Sequence, residues 1–170
     1  CNTEAINNRI NRDNCKLYVT KEIMDSNRFL NANIIKQGDI IGFDNIRIEV
    51  TKAIHGYITG MREKDSEILE NVGYIIDDGN VRLYTTSDTI NFYNNYKCDV
   101  ICMPFNGNGL TFGIVDGIDF LKNFDIKLLL PIHMQHPNPI MNPDVNNLKL
   151  ALEKNNINYK ILNFKESIEI

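Results

Sequence analysis

The sequence predicts a layered α/β domain, with sheet buried under helices. Three observations point there. The first half of the chain reads as short strands joined by tight turns, the second half alternates apolar strands with amphipathic helices, and no repeat or linker divides the 170 residues. That length suits a single domain, 1–170, with room for a core of useful size.

Taken in order, Ala5, Ile6, Arg9 and Ile10 fall at helical spacing behind Asn2 or Thr3 as N-cap, which predicts a helix from Asn2 to about Arg12. "CKLYVT" then reads as a strand and "KEIMDSNRF" as a short helix. "NIIKQGDIIGFDNIRIEVTKAIH" holds two or three strands turning at Gly38-Asp39 and Phe43-Asp44-Asn45. The charged stretch Gly56 to Glu70, with Gly60 as a hinge, is a candidate lid or a plain surface excursion. "VGYIIDDGNVRLYTT" is a hairpin turning at Asp77-Asp78-Gly79-Asn80. "DVICMPF" and "IKLLLPIHM" are strands, and the helix between them places Ile114, Ile118 and Leu121 on one face with Val115 beside them. Asn142-Pro143 starts a last helix that buries Val145, Leu148, Ala151 and Leu152, and "NYKILNF" closes as a strand.

A hydrophobic fraction of 43%, a charged fraction of 24% and a net charge of −4 describe an ordinary globular chain and argue against nucleic acid as partner. No apolar run reaches the ~20 residues of a membrane helix. The four cysteines, at 1, 15, 98 and 102, do not read as a disulfide framework. Cys98 and Cys102 stand roughly 13 Å apart along a strand, too far to share one zinc, so they read as core or strand-end thiols in a reducing cytoplasm. The chain opens on Cys1 rather than methionine, the mark of a processed chain or a fragment. An N-terminal cysteine can be a lipoprotein anchor or the nucleophile of an N-terminal-nucleophile amidohydrolase, although a helix rather than a strand follows it here.

The chemistry gathers at strand ends. "IRIEVTKAIH" ends at His55, "VRLYTTSD" at Asp88 and "IKLLLPIH" at His133. Loops over a sheet edge are where sites collect, and neutral imidazole with carboxylate suits zinc, manganese or iron. Each residue has a plainer reading: a histidine after a strand is usually structural, and Asp88 could cap a helix through "TINFYNNY". His136 stands three residues past His133 in a proline-rich loop, as a donor to a substrate oxyanion or phosphate or as a solvated residue. "FNGNG", 105–109, is first of all a turn, with glycines that permit close backbone approach.

The order His55, then Ser87-Asp88-Thr89 behind a hairpin, then Pro131-Ile132-His133, resembles the later part of a metallo-β-lactamase-fold hydrolase, an αββα sandwich of two packed sheets with outer helices. The branch it looks most like is that of ascorbate-6-phosphate lactonase and its uncharacterised relatives. The resemblance implies that His55 and His133 are terminal metal ligands and Asp88 a bridging carboxylate, with two divalent ions in the complete site, zinc before manganese or iron. It implies attack of metal-bound hydroxide on a carbonyl or phosphoryl centre of a small-molecule substrate. It is compatible with a homo-oligomer.

Two departures stand out. Ser87 occupies a position where the family usually has glycine, and the His-x-His-x-Asp-His signature is absent. The chain therefore reads as the C-terminal portion of a longer metallo-hydrolase domain, inactive and weakly metal-binding alone and with apolar sheet left uncovered. The rival readings are a non-catalytic α/β interaction or structural domain and the Cys1 amidohydrolase.

Overall fold

A computed structural model describes residues 3–26, 31–56, 69–107, 109–135, 138–139 and 142–170. Helix α1 spans Thr3–Asp13 and buries Ile10. A parallel pair follows, strands β1 (Leu17–Thr20) and β2 (Ala32–Ile35), with helix α2 (Lys21–Ser26) in the connection.

The main sheet has six strands in chain order: β3 (Ile40–Phe43), β4 (Ile46–His55), β5 (Leu69–Asp77), β6 (Arg82–Thr85), β7 (Val100–Pro104) and β8 (Leu128–Ile132). β3 to β6 form an antiparallel meander, and β6, β7 and β8 pair in parallel. All three expected turns are present, Gly38 taking φ 88° in the first. Asp44 takes φ 48° between β3 and β4, and between β5 and β6 Gly79 takes φ 90° while Asp78 Oδ1 accepts from the backbone of Asn80 and Val81.

Helices α3 (Ile114–Leu121) and α4 (Val145–Lys154) cover one face of the sheet. Ile75, Tyr84, Ile101, Met103 and Leu129 point into that layer and meet Ile118, Phe120, Leu121, Leu148 and Leu152. Aromatic rings line it, with Phe112 and Phe120 centroids 4.8 Å apart and Phe120 and Phe124 4.9 Å apart. A second cluster of Ile35, Val50 and Val72, with Tyr18 and Tyr74 against it, packs the β1–β2 pair onto the opposite face.

Three expectations need correction. The last segment is not a strand: Tyr159 makes a single bridge to Leu129, after which Asn163 and Glu166 hydrogen-bond to one another in a turn of their own. The N-cap of α4 is Asp144, which accepts from Asn146 N and Asn147 N, rather than Asn142-Pro143. Val115 is 74% exposed, because Gly117 takes the close position against Phe105 and Met103 on the buried face of α3.

Candidate functional site

The sheet directions decide where the chemistry meets. β4, β6, β7 and β8 all run the same way, so His55, the Ser87–Asp88 turn, the Phe105–Gly107 turn and His133 emerge at one edge. β4 and β6 are two strand steps apart, roughly 10 Å. The chain after β6 closes that gap by bending back over the start of β5. Ile90 N donates to Ile54 O at 2.9 Å, and the Thr89 hydroxyl accepts from Ile54 N and Asn91 N, each at 3.0 Å.

Asp88 is thereby carried to His55, and its Oδ2 lies 3.7 Å from His55 Nε2. The pair is half-buried, with side chains 30% and 33% exposed. His55 Nδ1 is 2.7 Å from the carbonyl of Gly56. A carbonyl only accepts, so Nδ1 carries the proton and Nε2 presents its lone pair towards the carboxylate. In the neutral ring the pair offers two acceptors to a cation. Two ligands of one zinc, each ~2.1 Å from it at a tetrahedral angle, stand ~3.4 Å apart, so this pair fits a divalent ion, with its imidazole oriented by a backbone carbonyl as metal-ligating histidines usually are.

Asp88 does not cap a helix, since residues 88–96 form none. The turn that carries it is fixed by buried polar groups. Asn94 donates to Lys52 O at 2.8 Å and to the Tyr84 hydroxyl at 2.7 Å, and accepts from Asn91 at 2.9 Å. Asn71 on β5 donates to Asp88 O at 2.9 Å and Ser87 Oγ at 3.2 Å. Asn71 carries no signal in the sequence, and only strand register brings it under the turn.

His133 lies at the same edge but is not gathered with that pair. β8 is two strand steps beyond β6, and among the described residues no three His, Cys, Asp or Glu come together as a metal-holding group. His133 is exposed, its backbone has φ 60°, and its carbonyl accepts from Asn106 at 3.1 Å. His136 and Cys1 lie outside the described residues, as does 57–68 of the candidate lid. The close backbone approach at this turn rests on Gly56, just after β4, where a Cβ would meet the Gly109 carbonyl at 1.7 Å. Cys98 and Cys102 are half-buried thiols, as expected, with no disulfide.

A cavity of about 460 Å³ opens beside the pair, between the sheet and the β1–α2 unit. His55, Asn71 and Ser87 line it on one side, and Tyr18, Ile23 and Tyr74 are among its other walls. A second, of about 520 Å³, lies against His133, Met134, Cys102 and Phe164.

Solved structures share this fold. YhfI from Bacillus subtilis, a metallo-β-lactamase fold protein, aligns with a TM-score of 0.62 at 14% identity, over 85% of this chain and 61% of its own. The chain has the metallo-β-lactamase fold. Igni18, a metallo hydrolase from the archaeon Ignicoccus hospitalis, shares it with a TM-score of 0.69 at 19% identity, over 94% of this chain and 70% of its own. Zn²⁺-bound PqqB from Methylobacterium extorquens does so with a TM-score of 0.67 at 13% identity, over 91% and 64%. In sequence the chain is similar to a UPF0173 metal-dependent hydrolase of Desulforamulus reducens, 28% identical over 119 residues and 66% of the chain. Another, of Pelotomaculum thermopropionicum, is 29% identical over 138 residues and 75% of the chain. The chain spans 51% and 59% of the length of these two relatives. No family model matches it. The resemblance drawn from His55, Ser87-Asp88-Thr89 and Pro131-Ile132-His133 is borne out: the relatives are metal-dependent hydrolases and the fold is that of the metallo-β-lactamase superfamily.

Proposed function

We propose that the protein carrying this chain is a metal-dependent hydrolase of small molecules, with His55, Asp88 and His133 among its metal ligands. What carries the reading is the His55–Asp88 pair, Nε2 to Oδ2 at 3.7 Å with Nδ1 tied to a backbone carbonyl, in a chain similar to metal-dependent hydrolases. Asp88 and His133, which emerge at the same sheet edge, would hold a second ion. Two divalent ions, zinc first, complete the proposal, in line with the zinc held by PqqB.

A divalent ion in this place supplies Lewis acidity and brings the pKa of a water down to about 7. The chain's own residues do the rest. Gly56 O keeps the His55 ring in one tautomer, and Thr89, Asn91 and Asn94 hold the Asp88 turn rigid against β4. Tyr18, Ile23 and Tyr74 give the cavity beside the pair apolar walls. His136 is assigned to the substrate's oxyanion or phosphate. The substrate is a small ester, lactone or phosphodiester rather than nucleic acid, and three unpaired thiols among the described residues suit a cytoplasmic setting.

The test is hydrolysis of 4-nitrophenyl acetate and bis(4-nitrophenyl) phosphate by the intact protein. Turnover of one of them should disappear on dialysis against a chelator and return with zinc. Turnover that is indifferent to the chelator, or no turnover of either with zinc present, would contradict the proposal.

A further inference from the structure

Ser87 holds a backbone conformation that its residue type rarely adopts. Seven described residues other than glycine have positive φ, and four of these are Asn or Asp, which tolerate it through local hydrogen bonds. Ser87, at φ 57°, is not of that kind. A glycine would take this turn freely, whereas a residue with a Cβ is strained there. A hydroxyl kept under strain next to Asp88 calls for a role that glycine lacks.

The hydrogen bonds indicate which. Asn71 Nδ2 donates to Ser87 Oγ at 3.2 Å and to Asp88 O at 2.9 Å, while Asn71 Oδ1 accepts from Val72 N at 2.9 Å. An amide nitrogen only donates, so the serine is the acceptor in that bond. Its own proton has no acceptor among the described residues. Ser87 is half-buried and lines the 460 Å³ cavity together with His55 and Asn71. A hydroxyl that has accepted one hydrogen bond is also the better donor for the next.

We propose that Ser87 is a substrate-binding donor, its hydroxyl held by Asn71 and aimed at a carbonyl or phosphoryl oxygen entering the cavity beside His55 and Asp88. This rests on the metal-hydrolase reading. Asn71 is then a positioning residue that acts through the serine.

The experiment is calorimetric titration of inorganic phosphate into the zinc-loaded intact protein, for the wild type, Ser87→Gly, Asn71→Ala and the double variant. Ser87→Gly removes the hydroxyl and relieves the backbone, so its zinc content should match the wild type and its thermal midpoint equal or exceed it. Its phosphate Kd should rise about tenfold, the scale of one hydrogen bond to a charged group. Asn71→Ala should weaken phosphate in the same direction, and the double variant should bind no worse than Ser87→Gly alone, because the two act as one unit. Unchanged phosphate affinity in Ser87→Gly, or no phosphate binding by zinc-loaded wild type, would overturn the assignment and leave Ser87 a turn residue. Failure of the hydrolase reading itself looks different: the wild type would hold no zinc, and both ideas would fall together.

Discussion

At the scale of single residues, the site turns on which groups hold protons and where they point. The ligand role proposed for His55 needs Gly56 O to take its Nδ1 hydrogen. Partial burial holds the thiols of Cys98 and Cys102 in their protonated form, against a smaller opposing pull from Arg82 on Cys98. Burial pushes the Cys98 thiol from 9.0 up to about 12, with Asp99 adding to it, and pushes Cys102 up to about 11. Tyr74 and Tyr84 are raised by burial too. In the unfolded chain these thiols lose their protons near pH 9, while the folded chain keeps them. Their contribution to stability is therefore complete below pH 9 and lost as pH climbs towards 11–12. The thermal midpoint should be level from pH 7 to 8.5 and fall steeply by pH 11. Iodoacetamide at pH 8 should label exposed Cys15 and spare Cys98 and Cys102, as peptide mass spectrometry would read. A midpoint that stays level to pH 11, or ready labelling of Cys98, would show that the thiols are not held as described.

At the scale of elements, the strand-end pattern was legible and the lateral movement was not. His55, Asp88 and His133 each follow an apolar run, which is enough to place them on one sheet edge once strand directions are known. What the sequence does not carry is the backward bend of 86–90 onto β4, because it depends on tertiary bonds such as Thr89 to Ile54 N. The same limit explains the closing segment. Ile157, Tyr159 and Ile161 alternate as a strand should, yet only Tyr159 pairs with β8. Val115 looked internal for a related reason: nothing in a periodicity reveals that Gly117 is where α3 touches the sheet. That contact gives a prediction against propensity. Alanine at 117 would gain about 1 kcal/mol of helix propensity, but its Cβ would meet the buried Phe105 ring at 2.5 Å and Met103 at 3.3 Å. Overpacking of this kind costs about 1–3 kcal/mol. Gly117→Ala should lower the thermal midpoint by a few degrees, whereas Gly42→Ala, with nothing within 4 Å, should leave it unchanged. Equal midpoints for the two variants would mean that α3 does not pack on β7 in this way.

At the scale of the whole molecule, the two faces of the six-stranded sheet are treated differently. α3 and α4 seal one face, and Ile101, Met103 and Leu129 there are wholly buried. The other face carries Val50 and Val72 under the β1–β2 pair, while Ile76 is 37% exposed. A sandwich of two sheets was expected from the resemblance, and solved structures with that fold align over most of the chain. The layered α/β class followed from element order alone, whereas the meander-then-parallel strand order did not, because apolar alternation is blind to which neighbour a strand pairs with. The net charge is −4, and no described helix is long and apolar enough to cross a membrane.

The central claim is that His55 and Asp88 hold metal. It is tested most directly by the zinc content of the intact protein, measured by inductively coupled plasma mass spectrometry beside His55→Ala and Asp88→Ala, each checked for folding by circular dichroism. The account predicts about two zinc ions per wild-type chain and loss of at least half of them in either variant, with secondary structure retained. Wild-type protein without metal after growth in zinc, or folded variants that keep all of it, would contradict it.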